Sequence, residues 1–212
     1  MPGLATAIDI LMEPDAAMGR HAEAANARLR KVFPKGFCLD ETHRPHLTTV
    51  QQFVQTGSLP QIYEAAEKII LDAEPSEWVL TAYKYYYFPA NGVGVAGIVV
   101  HPNDAWLTMQ AELLGAIAPF RAKTAGKDAF YTLPGEPELV SGMIEYIEGF
   151  ASEHSGKNFM PHVTVGVAPR DYLDEMLAEP FDEFTFSLSR ASVYQLGDYG
   201  TARKLLKSWA LR

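Results

Sequence analysis

Apolar and polar side chains alternate along residues 5–11, where Ile8 and Ile10 face away from Asp9, and this two-residue period predicts a first strand. The period lengthens over residues 15–31, rich in Ala, Leu and Arg, and predicts a helix with Asp15 as its N-cap. Strand-like residues return over 47–54. Residues 58–71 form a second helical pattern, with Ile62, Ala65, Ala66, Ile69 and Ile70 on one face and Ser58 as a cap. Segments 77–88 and 93–100 read as a hairpin about Pro89-Ala90-Asn91-Gly92. Helices are predicted over 103–117, capped by Asn103 or Asp104, and over 137–152, with Gly156 and Asn158 as breakers before the next strand. A short helix over 169–177, a strand over 184–195 and a closing strand over 204–211 complete the pattern. This order implies an α+β chain built of two related halves. The best loop candidate is 123–136, and no linker or low-complexity segment divides the chain.

Two of the predicted strands open on the same phrase: Pro45-His46-Leu47-Thr48 and Pro161-His162-Val163-Thr164. Side chains two apart on a strand share a face, so each copy presents one imidazole beside one hydroxyl. In the second copy Val163, Val165 and Val167 make an apolar face, leaving His162, Thr164 and Gly166 on the other, with open space expected at Gly166. In the first, Leu47 and Thr49 share a face against His46, Thr48 and Val50. Facing each other across a cleft, the two copies would supply what phosphodiester chemistry needs without a metal. One imidazole takes a proton from the attacking oxygen and the other gives one to the leaving oxygen, which predicts a bell-shaped pH dependence. The hydroxyls donate to phosphate oxygens where charge develops. A single His-x-Thr carries almost no information, whereas two in matched contexts among six histidines carry much more.

With these paired motifs, and with a strand ending in Leu196-Gly197-Asp198-Tyr199-Gly200, the chain resembles the 2H phosphoesterase superfamily, which includes 2′-5′ RNA ligase-like and cyclic nucleotide phosphodiesterase-like proteins. The resemblance implies a two-lobed pseudo-symmetric α+β fold spanning 1–212. Antiparallel sheets would face a central cleft with helices outside, the chain termini building one lobe and the middle of the chain the other. It also implies a phosphoesterase acting on 2′,3′-cyclic phosphates or 2′-5′ bonds in nucleotides or RNA ends. His46, His162, Thr48 and Thr164 would be its catalytic residues, with His162 as base and His46 as acid.

Other residues are weaker candidates. Tyr83, Tyr85 and Tyr87 alternate along one strand face opposite Lys84 and Tyr86; such stripes mostly pack, and Tyr85 is the one taken as reaching a base. Phe159 and Tyr199 flank the motifs and could line the pocket, and Arg44 and Lys157 could steer a phosphate. His43, His46 and His162 together could hold zinc, which makes a metal-dependent hydrolase one alternative. A nucleotide-binding module without turnover is the other. No cysteine cluster or acidic loop accompanies these histidines, so no metal and no cofactor are expected. His21, His101 and His154 receive no role.

Composition narrows the field further. With 48% hydrophobic and 21% charged residues, the 212-residue chain has ordinary globular make-up and enough length for a substantial core. One cysteine, Cys38, precludes an internal disulfide. No stretch reaches membrane-spanning length, and the first residues lack the basic start of a signal peptide, so a cytoplasmic monomer is expected. A net charge of -8 argues against duplex nucleic acid and in favour of a small nucleotide or an RNA end.

Overall fold

The structure, a computed structural model, describes residues 4–41, 43–90, 92–123, 125–132, 142–197 and 200–211. In chain order the main elements are β1 (Ala5–Pro14), α1 (Ala16–Val32), β2 (Leu47–Gln55), α2 (Leu59–Asp72), β3 (Leu80–Ala90), β4 (Val93–His101), α3 (Asp104–Ile117), α4 (Met143–Glu153), β5 (His162–Ala168), α5 (Arg170–Ala178), β6 (Phe184–Phe186), β7 (Leu188–Leu196) and β8 (Ala202–Ala210). The strands run antiparallel in the order β6-β3-β4-β5-β2-β1-β7-β8. Two four-stranded lobes meet where β5 and β2 share one bridging pair, Leu47 and Val163. Strands from both chain ends build the lobe β2-β1-β7-β8, and the middle of the chain builds β6-β3-β4-β5.

The core lies behind the sheet. Ile8, Ile10 and Met12 of β1, Leu47 and Val50 of β2, and Val163 and Val165 of β5 are all fully buried there with residues of α1, α2, α3 and α5. On the opposite face, Ala7 and Phe53 join Phe130, Leu196 and Ile147 of α4 in a smaller cluster. That second face also carries the motif side chains.

Asp15 caps α1, its Oδ1 accepting from the N–H groups of Ala17 and Met18 at 2.9 and 3.2 Å. The same side chain explains a departure from the sequence pattern. Residues 184–195 read as one strand, yet the chain breaks at Ser187, whose N–H donates to Asp15 Oδ2 at 3.0 Å while its carbonyl accepts from the Asp15 N–H at 2.9 Å. β6 then pairs with β3 in one lobe and β7 with β1 in the other. Alternation cannot reveal such a switch, because both pieces keep the same period. α2 begins at Leu59 with Pro60 in its first turn, and Ser58 makes no side-chain cap bond. Of the expected 137–152 helix, the described part is α4 from Met143, and 137–141 lie outside the described residues.

Both motif strands carry a β-bulge one residue past the threonine. Along β1, Leu11 pairs with Thr48 and Ile10 with Val50, so Thr49 is extra; along β4, Gly97 pairs with Thr164 and Ala96 with Gly166, so Val165 is extra. A bulge inverts the alternation beyond it. Val50 is therefore buried in the core, and Val167 is half-exposed while Ala168 is buried. The expected Val163-Val165-Val167 face thus ends at Val165. Gly166 leaves no open space beside the motif either: with φ +154°, it lies against α1, and a Cβ there would meet Leu29 Cδ1 at 2.9 Å.

Each bulge is held by a buried amide from the helix behind it. Asn26 of α1 donates through Nδ2 to Val165 O at 2.8 Å and to Phe37 O at 3.0 Å, and its Oδ1 accepts from the Leu39 N–H at 3.1 Å. Gln110 of α3 donates through Nε2 to Thr49 O at 2.9 Å and accepts from the Gly156 N–H at 2.9 Å. Each amide therefore grips the bulge of one motif and the loop that leads into the other. The two-lobed expectation holds at the level of individual hydrogen bonds.

Candidate active site

The site follows from the strand pair at which the two lobes meet. Leu47 and Val163, the middle residues of the two triplets, are bridge partners, and both are fully buried on the core face. Their neighbours His46, Thr48, His162 and Thr164 must then point to the other face, and all four are half-buried there. Extending the antiparallel register one residue each way sets His46 across from Thr164 and Thr48 across from His162. Directly opposed side chains on antiparallel strands have Cβ atoms about 4.5–5.5 Å apart.

The two imidazoles are held alike. His46 Nδ1 bonds Arg44 O at 2.8 Å and His162 Nδ1 bonds Met160 O at 2.9 Å, each the carbonyl two residues upstream. A carbonyl can only accept, so Nδ1 carries the proton and, in a neutral ring, Nε2 is the free base. The proline between carbonyl and histidine contributes a fixed φ to that turn and has no N–H to compete for the acceptor.

The surroundings of the two rings differ. Burial pushes His162 down to about 4, partly offset by its bond to Met160 O, with the positive charges of His46 and His154 pushing the same way as burial. His162 is therefore neutral at pH 7. Beside His46 lies Asp9 of β1, completely buried, whose Oδ2 accepts from Thr48 Oγ1 at 2.7 Å and from Gln51 Nε2 at 3.0 Å. Burial raises the Asp9 carboxyl above the usual carboxylate range, opposed by the charge of His46 and by the bonds from Gln51 and Thr48. Among the described residues no hydrogen bond to Thr164 Oγ1 is formed, so that hydroxyl is available to a ligand.

Aromatic rings wall the site. Tyr86 of β3 packs edge-on to His162 with ring centroids 4.8 Å apart. It crosses Gly97, where a Cβ would meet Tyr86 Cε1 at 2.7 Å, so the glycine makes room for the ring. Tyr146 of α4 stacks obliquely on His154 at 4.3 Å. Its hydroxyl is pushed up to about 12 by burial and by the Asp9 charge.

The weaker candidates fall in different places. Tyr85 lies on the helix-covered face against Phe181 at 4.9 Å, because adjacent strand residues alternate; Tyr86, not Tyr85, reaches His162. Phe159 packs edge-on against Trp106 at 5.4 Å within the main core, away from the cleft. Arg44 is exposed, lends its carbonyl to His46 and acts by its charge on Tyr194 of β7. Tyr199 and Asp198 lie outside the described residues; of their neighbours, the Gly197 N–H donates to Thr201 O at 2.9 Å. Lys157 sits in an exposed 3₁₀ turn. His43 stacks on Phe37 at 5.1 Å, and among the described residues no group of three or more His, Cys, Asp or Glu is arranged to hold a metal ion. Asp9, Gln51, Tyr86, Tyr146 and His154 had no signal tying them to the motifs. The alternation that put Tyr86 opposite Tyr85 was visible, but which face lined the cleft was not.

A family model for the 2′-5′ RNA ligase superfamily matches residues 18–200. Among solved structures, the chain is similar to TT0787 of Thermus thermophilus, at 16% identity over 98% of both chains with a TM-score of 0.57. Matches also include Usb1 of Kluyveromyces marxianus (8% identity, 99% of each chain, TM-score 0.47) and apo LigT of E. coli (13% identity, 97% of each chain, TM-score 0.40). No curated protein sequence matches. No helix among the described residues is long and apolar enough to cross a membrane.

Proposed function

The chain belongs to the 2′-5′ RNA ligase superfamily, and from that premise we propose that it is a phosphoesterase that opens 2′,3′-cyclic phosphates or cleaves 2′-5′ phosphodiester bonds with its own side chains. The observation that supports this most is the symmetric presentation of two Nε2 atoms, each ring fixed through Nδ1 to a carbonyl, on one face beside two threonines. Neutral His162 takes a proton from water as its oxygen attacks phosphorus. His46 gives a proton to the ribose oxygen as its bond to phosphorus breaks. Thr164 and Thr48 donate to the non-bridging oxygens, where removing one such donor costs about 2.7–4 kcal/mol in the barrier. The electrostatics favour this assignment over its reverse, since burial holds His162 neutral, the form a base needs.

The test is hydrolysis of the four 2′,3′-cyclic nucleoside monophosphates in EDTA by wild type, His46→Ala and His162→Ala. We expect turnover in wild type and its near-complete loss in both variants, with 2′- or 3′-phosphate identifying which bond His46 serves. Turnover that survives either substitution rules the mechanism out. Nucleotide binding without product in wild type marks a binding module instead.

A further inference from the structure

Asp9 lies beneath the first motif and, among the described residues, has no counterpart beneath the second. Its Oδ2 is the partner of the Thr48 hydroxyl at 2.7 Å and of Gln51 Nε2 at 3.0 Å, while among the described residues no donor reaches its buried Oδ1. A threonine hydroxyl has one proton to donate. If Asp9 is ionised, that proton is committed to the carboxylate, and Thr48 turns only lone pairs towards the cleft, where they oppose a phosphate oxygen. If Asp9 is protonated, its O–H donates to Thr48 Oγ1, and the threonine proton is released to the cleft.

We propose that Asp9 is a positioning residue acting through Thr48: protonated, it turns the threonine proton towards the substrate phosphate, and ionised, it turns it away. The proposal rests on the phosphoesterase reading and deepens it, making the two threonines unequal. Thr164 donates at any pH, whereas Thr48 donates only while a buried proton is present. The groups that face Asp9 set that proton. These are His46, just before β2, and Thr48 and Gln51 on it; Tyr194 is its register partner on β7; and Tyr146 approaches from α4. The charge of His46 favours the carboxylate, while complete burial with one oxygen lacking a donor favours the neutral acid. Arg44, Arg190 and Glu13 act on Tyr194 and so form the outer ring of charge.

The decisive quantity is the ratio of kcat/KM for wild type to that for Thr48→Ala, followed from acid to alkaline pH on a 2′,3′-cyclic nucleotide. Histidine titrations independent of Asp9 cancel in the ratio, and the Asp9→Asn background controls for the coupling of Asp9 to His46. We expect a ratio of roughly 10²–10³ at the acid end, falling towards unity as pH rises. In the Asp9→Asn background, which has no proton to lose, the ratio should be flat. A flat ratio with Asp9 present, or an equal slope in both backgrounds, overturns the proposal. Should Asp9→Asn fail to fold, the infrared band of a buried carboxylic acid in wild type decides: it must vanish over the pH range where the ratio falls, and its absence at the acid end overturns the proposal. Inorganic phosphate affinity, compared in the same proteins, separates the two readings. A pH-dependent affinity ratio without turnover sinks the phosphoesterase reading alone, and turnover with flat ratios sinks the role of Asp9 alone.

Discussion

His162 is a titratable ring set in an apolar environment. Tyr86 packs against it and burial lowers its proton affinity, so the acid limb of kcat/KM should lie near pH 4 rather than near the ordinary 6.5. Its folded value is depressed, so between those two values the unfolded chain binds more protons than the folded one. Stability is then lost as pH falls from 6.5 towards about 4. The melting midpoint of wild type should drop more steeply over that interval than that of His162→Gln, and parallel curves would contradict the burial of this ring. The four motif residues were legible in the sequence because a two-residue period needs no tertiary information. Asp9 was not, since it enters the site from β1, a strand far from either motif along the chain.

At the scale of elements, each of the two motif strands bulges after its threonine and is gripped there by an amide from a helix. Asn26→Leu leaves Val165 O, Phe37 O and the Leu39 N–H without their side-chain partner. Unsatisfied buried groups cost about 1–3 kcal/mol each and do not simply add, so a loss of roughly 3 kcal/mol is expected in urea unfolding. Gln110→Leu, which strands Thr49 O and the Gly156 N–H, should cost a comparable amount. Both should also lower kcat, because the grip sets the aim of His162 in one case and of His46 in the other. A loss below about 0.5 kcal/mol, the range of ordinary surface changes, would show that the amides are not structural. Hydrophobic periodicity located nearly every strand and helix here. It could not show the bulges, because one extra residue leaves composition unchanged and only shifts the phase.

For the molecule as a whole, the two lobes share one core: Ile8 and Val193 of one lobe and Val163 and Phe186 of the other belong to a single buried cluster. The terminal strands β1, β7 and β8 complete the lobe that holds His46, so no single cut separates the lobes. Thermal unfolding should therefore be one cooperative transition, with coincident midpoints by far-ultraviolet circular dichroism and by tryptophan fluorescence. Separate midpoints would mean that the lobes fold independently. A chain ending at Glu183 should show no cooperative melt, because it leaves β1 without its β7 partner.

The sequence by itself determined the α+β class, the two related halves and the pairing of imidazole with hydroxyl in each motif, because strand and helix periods and a repeated triplet are local properties. Only the tertiary structure decided that Leu47 meets Val163, that Tyr86 rather than Tyr85 faces His162, and that one threonine rests on a buried acid. Those outcomes depend on register, bulge phase and which face the helices cover. Register and facing arise from burying apolar surface between segments distant in the chain, and no local pattern encodes them.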